Sequence, residues 1–294
     1  MEREAEEVIP YVREVQYLSP SSLRTLEESP VEFYLQKLGP IECKPKGDEQ
    51  GFPAAVGCAF DAFVKTELAG RLKITCPPLA HLLKTVTIRD RAERDRALDM
   101  GRSLLVGYEK SGALGALLAE RPRDLEHHPE VCFAPGTLVP IKGQLDATFR
   151  AGRGARLVLD WKTTGANRPG EESPSQGYQR LFDSEKPGVD QGPHGKAGIP
   201  FHEIPVEGPR WATQLTMYSW MLGHPIRERV AAIDQLIVGR EGRVRVAQFR
   251  TKLTVRYQQE VRRRLLVAWD RVQTCNVVPP ELAGVGIEMV GAFR

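Results

Sequence analysis

The stretch that most restricts the fold is 138–164, where two alternating runs flank a short glycine-rich turn. The first, Leu138–Arg150, reads LVPIKGQLDATFR; the second, Arg156–Thr164, reads RLVLDWKTT, with AGRGA between them. A short connection containing glycine predicts an antiparallel hairpin. Period-two alternation puts Ile141, Leu145, Ala147 and Phe149 on one face, and Lys142, Gln144, Asp146 and Thr148 on the other. In the second run Leu157, Leu159 and Trp161 oppose Asp160 and Lys162. The hairpin therefore gathers Asp146, Asp160 and Lys162 on one side of a sheet whose reverse is apolar.

Two carboxylates on adjacent strands bring hard oxygen ligands to one point, as Mg²⁺ or Mn²⁺ requires. A lysine two residues beyond the second carboxylate stands on the same face, about 6–7 Å along the strand. From there it can orient a water, or offset charge that develops on a phosphate. A D-x-K triplet by itself also describes a surface salt bridge, which stabilises weakly. The preceding G-x-x-D run and the apolar residues just before D-x-K favour a site.

Gly143-Gln-Leu-Asp146, then Leu157-Val-Leu-Asp160-Trp-Lys162-Thr-Thr164, resembles the core of the PD-(D/E)XK nucleases, and within them the RecB-like exonuclease branch. That branch carries a further Q-x-x-x-Y signature on a downstream helix, and Gln214-Leu-Thr-Met-Tyr218 matches it. The resemblance implies an α/β, restriction-endonuclease-like core: a mixed central sheet flanked by helices, with a helical N-terminal elaboration. It implies metal-dependent hydrolysis of DNA phosphodiesters in recombination or repair. Asp146 and Asp160 would bind Mg²⁺ or Mn²⁺ with the main-chain carbonyl of Trp161, and Lys162 would position or activate the attacking water. Gln214 and Tyr218 would hold the strand or support Lys162. Read as residues only, Gln214 and Tyr218 are one turn apart and are better explained as a satisfied polar pair in a core.

The family's G-x-x-x-H helix departs here, because Gly57 is followed four residues later by Asp61. Aspartate is itself an oxygen ligand, so Asp61 is a metal candidate; the alternative is an i,i+4 pair with Lys65. Glu130, ahead of the G-x-x-D strand, is a secondary metal candidate by the same resemblance. Some RecB-like relatives hold an iron–sulfur cluster through one early cysteine and a close C-terminal trio. This chain has only Cys275 near its end, so no cluster is expected.

The chain's 294 residues suffice for one large core. They are expected to form a single nuclease domain: 1–129 mainly helical, then a catalytic core over 130–275 interrupted by a long insertion at 165–210. The net charge of +3 does not argue for nucleic acid by itself. From Arg227 onward, however, 13 Lys and Arg stand against 7 Asp and Glu, a difference of +6. Arg262, Arg263 and Arg264 form a helical run suited to tracking phosphates, or simply to solubility. Five scattered cysteines without a C-x-x-C pair, and no signal peptide, point to reduced thiols and a cytoplasmic setting. No apolar run approaches a membrane span, so no membrane partner is expected. DNA is the expected partner, with other recombination or repair proteins; the oligomeric state stays open.

Further along, Ser19 and Pro20 predict a helix start and Pro30 a break. A helix over 54–70 is expected to end at Gly70, residues 71–89 to be irregular with a short extended part, and 90–120 to be helical with a split near Ser111–Gly112. Glu130–Phe133 begins a strand. The insertion interleaves aromatics and cations, among them Tyr178 and Arg180, as a flap over nucleic acid would; a disordered insertion fits equally. GPHGK at 192–196 lacks the first glycine of a phosphate loop, so no nucleotide cofactor is expected. A nuclease fold that grips DNA or a partner without cutting is the alternative to an enzyme.

Overall fold

The computed structural model describes residues 13–39, 50–120, 124–127, 130–150, 156–165, 178–184, 210–238 and 243–274. Its chain divides into two compact units, 48–130 with 143–261, and 1–47 with 131–142 and 262–294.

The larger unit is a mixed sheet with helices. Its described strands are β1 (Asp124–His127), β4 (Leu145–Arg150), β5 (Arg156–Gly165), β6 (Tyr178–Asp183), β7 (Arg229–Val238) and β8 (Val244–Leu253), in the order β1-β4-β5-β7-β8-β6. The predicted hairpin is present: β4 and β5 run antiparallel with Ala147 opposite Leu159 and Arg150 opposite Arg156. Its turn lies outside the described residues. β5 and β7 are parallel, and the crossover that parallel pairing demands carries helix α7 (Arg210–Met221). β7 and β8 pair antiparallel over their full length.

Helices α3 (Phe52–Leu72) and α5 (Arg91–Lys110) cover one face of this sheet. Phe60, Val64, Leu68, Leu104 and Tyr108 pack there on Leu159, Trp161, Ala232 and Leu236. Phe60 meets Tyr108 and Trp161 edge-on, with ring centroids 5.8 and 6.3 Å apart. Each fully buried leucine among them contributes roughly 1.5–3 kcal/mol. Alternation sends Asp160 and Lys162 to the opposite face, toward α7.

The smaller unit holds α1 (Pro20–Glu28), α2 (Pro30–Phe33) and a short hairpin of β2 (Cys132–Phe133) and β3 (Pro140–Ile141). Ser19 caps α1 as expected: its hydroxyl accepts from Ser22 N at 3.0 Å in a reciprocal box. Pro30 starts the second helix, with Ser29 as its cap. Leu18 bridges to β3, donating to Pro140 O at 2.9 Å and accepting from Lys142 N at 3.1 Å. The last helix, α8 (Val255–Gln273), has Val255–Val261 in the larger unit and its remainder in the smaller one.

Several local expectations are corrected. Residues 138–150 are not one strand: Ile141 belongs to the two-stranded hairpin, and Lys142–Gln144 break the ladder before β4. The helix expected to stop at Gly70 continues to Leu72, where Lys73 takes the left-handed position at φ 55. Residues 71–89 contain helix α4 (Leu79–Leu82) and a 3₁₀ turn, Leu83–Thr85, because Leu79 and Leu83 pack against the core that α3 lines. The helix split falls where expected, between α5 and α6 (Ala113–Glu120), with Gly112 at φ +82. Part of the insertion is ordered as the edge strand β6, paired antiparallel with β8; most of the rest lies outside the described residues. No described helix is long and apolar enough to cross a membrane.

Behind Trp161 sits a buried polar network. Tyr108 donates to Asp234, Gln248 donates to Asp234 at 2.9 Å, and the Trp161 indole donates to Tyr108 at 3.4 Å. Burial raises the Asp234 pKa, opposed by Arg250 and by these donors. The folded state thus binds this proton more tightly than the unfolded chain does. That contribution to stability is complete below the unfolded pKa and is lost as pH rises through the folded one. Tyr108→Phe removes a donor that serves the ionised carboxylate. It should cost roughly 1–3 kcal/mol at neutral pH and less at mildly acidic pH, read by urea unfolding. An equal loss at both would mean that Asp234 does not sense the hydroxyl.

Candidate functional site

The site forms where β4 parts from β5. The last ladder pair is Ala147 with Leu159; one residue further, the Asp146 side chain replaces the main-chain partner. Trp161 N–H donates to Asp146 Oδ2 at 3.0 Å, so Asp146 is locked to the strand residue that separates Asp160 from Lys162.

Asp160 is 2% exposed and Lys162 is half-buried. The Lys162 ammonium pairs with Asp160 Oδ2 and donates to Gln214 Oε1 at 2.9 Å. The Gln214 amide nitrogen donates to Asp160 Oδ1 at 3.1 Å and to the Tyr218 hydroxyl at 2.8 Å. Gln214 thus presents its oxygen to the cation and its nitrogen to the carboxylate, an orientation that no carboxylate or lysine could reproduce. Because Gln214 and Tyr218 are one helical turn apart, α7 delivers both to the same point. Burial raises Tyr218, with Asp160 and Asp146 adding to the effect.

Burial also pushes the Asp160 carboxyl up to about 7, against the pull of Lys162, with the neighbouring Asp146 raising it further. Two adjoining carboxylates, one of them buried, are a donor set of hard oxygens suited to a divalent cation. Among the described residues, no three His, Cys, Asp or Glu side chains converge as a ready metal cluster. Lysines stand on the carboxylate oxygens instead.

The second of these lysines is Lys65. It lies on α3 with its side chain 0% exposed, its Nζ 2.6 Å from Asp61 Oδ2 and 3.5 Å from Asp146 Oδ1. The structure therefore forms the i,i+4 pair of Asp61 with Lys65 and also brings both to Asp146. Motif spacing does not mark Lys65 as a site residue. A signal is nevertheless present, because Asp61, Lys65 and Leu68 share one stripe of a helix whose Leu68 is fully buried, and a lysine there needs counter-charge.

Two glycines permit these approaches. A Cβ on Gly143, of G-x-x-D, would meet Tyr218 Cε1 at 2.9 Å; one on Gly57 would meet Thr163 Oγ1 at 2.7 Å. The first lets the chain entering β4 pass the Q-x-x-x-Y helix, and the second lets α3 lie on β5.

Other expected residues fall elsewhere. Glu130 is exposed in the irregular run before β2 and takes no part in these hydrogen bonds and ion pairs. Tyr178 and Arg180 are in β6, opposite Thr251 and Phe249, with side chains outside the described residues. Arg262 and Arg263 are on α8 with Arg264, which grips Glu27 of α1 through two contacts of 2.7 and 2.5 Å.

No curated protein matches the chain. A solved structure titled "Crystal structure of SSO0001" is 13% identical, with 86% of this chain and 85% of that chain covered at a TM-score of 0.29. The family model of the PD-(D/E)XK nuclease superfamily matches residues 17–192, more than half of the chain and both carboxylate-bearing strands. With the paired aspartates and lysine of the β4–β5 hairpin, that match assigns the chain to the PD-(D/E)XK nuclease superfamily, of which it is a member.

Proposed function

We propose that the protein is a metal-dependent deoxyribonuclease of the RecB-like branch that hydrolyses phosphodiester bonds, exonuclease-like, in recombination or repair. The observation that carries this reading is the closed contact of Asp160, Lys162 and Gln214 beside Asp146. A salt bridge with no further task would not need an amide turned to both partners.

In this reading Asp146 and Asp160, with the Trp161 carbonyl, hold Mg²⁺ or Mn²⁺. The ion would polarise the phosphoryl oxygen and lower the pKa of a water. Lys162 Nζ orients the attacking water and offsets negative charge as the phosphorus–oxygen bond breaks. Gln214 keeps Lys162 from collapsing onto solvent and fixes Asp160 Oδ1. Tyr218, accepting from Gln214, keeps the amide turned the required way. Arg262, Arg263 and Arg264, with Tyr178 and Arg180, are proposed to follow the DNA backbone, and the whole chain to act as one nuclease.

Asp160→Asn should lower cleavage of linear duplex DNA in Mn²⁺ by at least about 100-fold. Fold and DNA affinity should persist, because the amide is the same shape and Lys162, only half-buried, keeps its hydrogen bond to Gln214. Wild-type cleavage by this variant would sink the assignment, and so would wild-type cleavage in excess chelator. Intact DNA binding by a wild-type chain that never cuts would instead identify a binding module.

Replacing Arg262, Arg263 and Arg264 together with Gln should weaken DNA binding evenly across sequences. The slope of log affinity against log salt should flatten by roughly one unit for each phosphate that is no longer neutralised. Titrations at several salt concentrations read this, and an unchanged slope would remove the arginines from the interface.

A further inference from the structure

We infer that Lys65 is a built-in cation that limits the site to a single divalent ion. The inference rests on the metal-dependent reading above and concerns this chain's own lysine. An ammonium that is 0% exposed is held only where counter-charge faces it, and here two carboxylates do, Asp61 at 2.6 Å and Asp146 at 3.5 Å. Asp146 is thereby engaged on both oxygens: Oδ1 faces Lys65, and Oδ2 accepts from Trp161 N. Its flank toward α3 already carries a positive charge, and the flank toward Asp160 is where a divalent ion adds one.

Charge balance points the same way. Asp61, Asp146 and Asp160 carry three negative charges and Lys65 and Lys162 two positive ones, leaving one negative charge. One divalent ion overshoots this by one charge, and two overshoot it by three. In sites with two metals, each ion clamps one of the two oxygens of the displacement. Here a second ion at Asp146 would have to displace or abut a buried ammonium. The assignment also gives Asp61 a defined part: it anchors Lys65 and is the counter-ion of that lysine, not the third ligand of the metal.

Mn²⁺ titrated into the full chain tests this, with stoichiometry from equilibrium dialysis and ion separation from electron paramagnetic resonance. Wild type should bind one Mn²⁺ per chain with the six-line signal of an isolated ion. Lys65→Met should bind two, with the broadened signal of a spin-coupled pair; Lys65→Gln serves where methionine prevents folding. Two coupled ions in the wild type would overturn the inference and leave the nuclease reading standing. One ion in both proteins would overturn it too, since the lysine would then not be what excludes the second. No bound Mn²⁺ in the wild type would overturn the metal-dependent reading itself.

Discussion

Two aspartates held side by side at the edge of a protein core repel each other and lose their water, and something must compensate. Asp160 shows the scale of the demand: burial and Asp146 lift its carboxyl to about 7 although a lysine is in contact with it. The surrounding structure answers with donors and cations from different parts of the chain. Lys162 comes from the same strand, Gln214 from α7, Lys65 from α3 and the Trp161 N–H from the backbone. Sheet and helices are thus tied together through the carboxylates as well as through the apolar core.

Trp161 links the two polar systems of the larger unit. Its backbone holds Asp146, and its indole, on the face covered by α3 and α5, donates to Tyr108, which donates to Asp234. The strand residue between Asp160 and Lys162 is therefore fixed from both faces. Edge-on packing against Phe60 leaves the indole little room to rotate. Such support from behind is what a site needs if its reacting groups are to stay in register.

Much of this is legible in the sequence. Alternation places Asp146, Asp160 and Lys162 on one face of a hairpin, and helical spacing puts Gln214 and Tyr218 together. What escapes is what sequence distance hides. Alternation alone extends the first strand through Lys142–Gln144, because a period of two does not register that Gly143 must pass close to Tyr218. Gly70 resembles a helix stop, yet Leu72 and Ile74 pack against the core on either side of the true end, and Lys73 takes the left-handed position. Lys65 resembles one half of an ordinary surface pair, and its burial depends on Asp146, far along the chain.

The two glycine contacts bear on how such a chain can diverge. Position 143 has no room for a methyl group while Tyr218 and Met221 stand against it, and position 57 has none while 163 is a threonine. A side chain at either glycine therefore requires its distant neighbours to shift, so these positions are coupled across the fold. Grafting the hairpin onto another scaffold would fail for the same reason unless the α7 and α3 surfaces travelled with it. The heritable unit is the contact, and the motifs are its two ends.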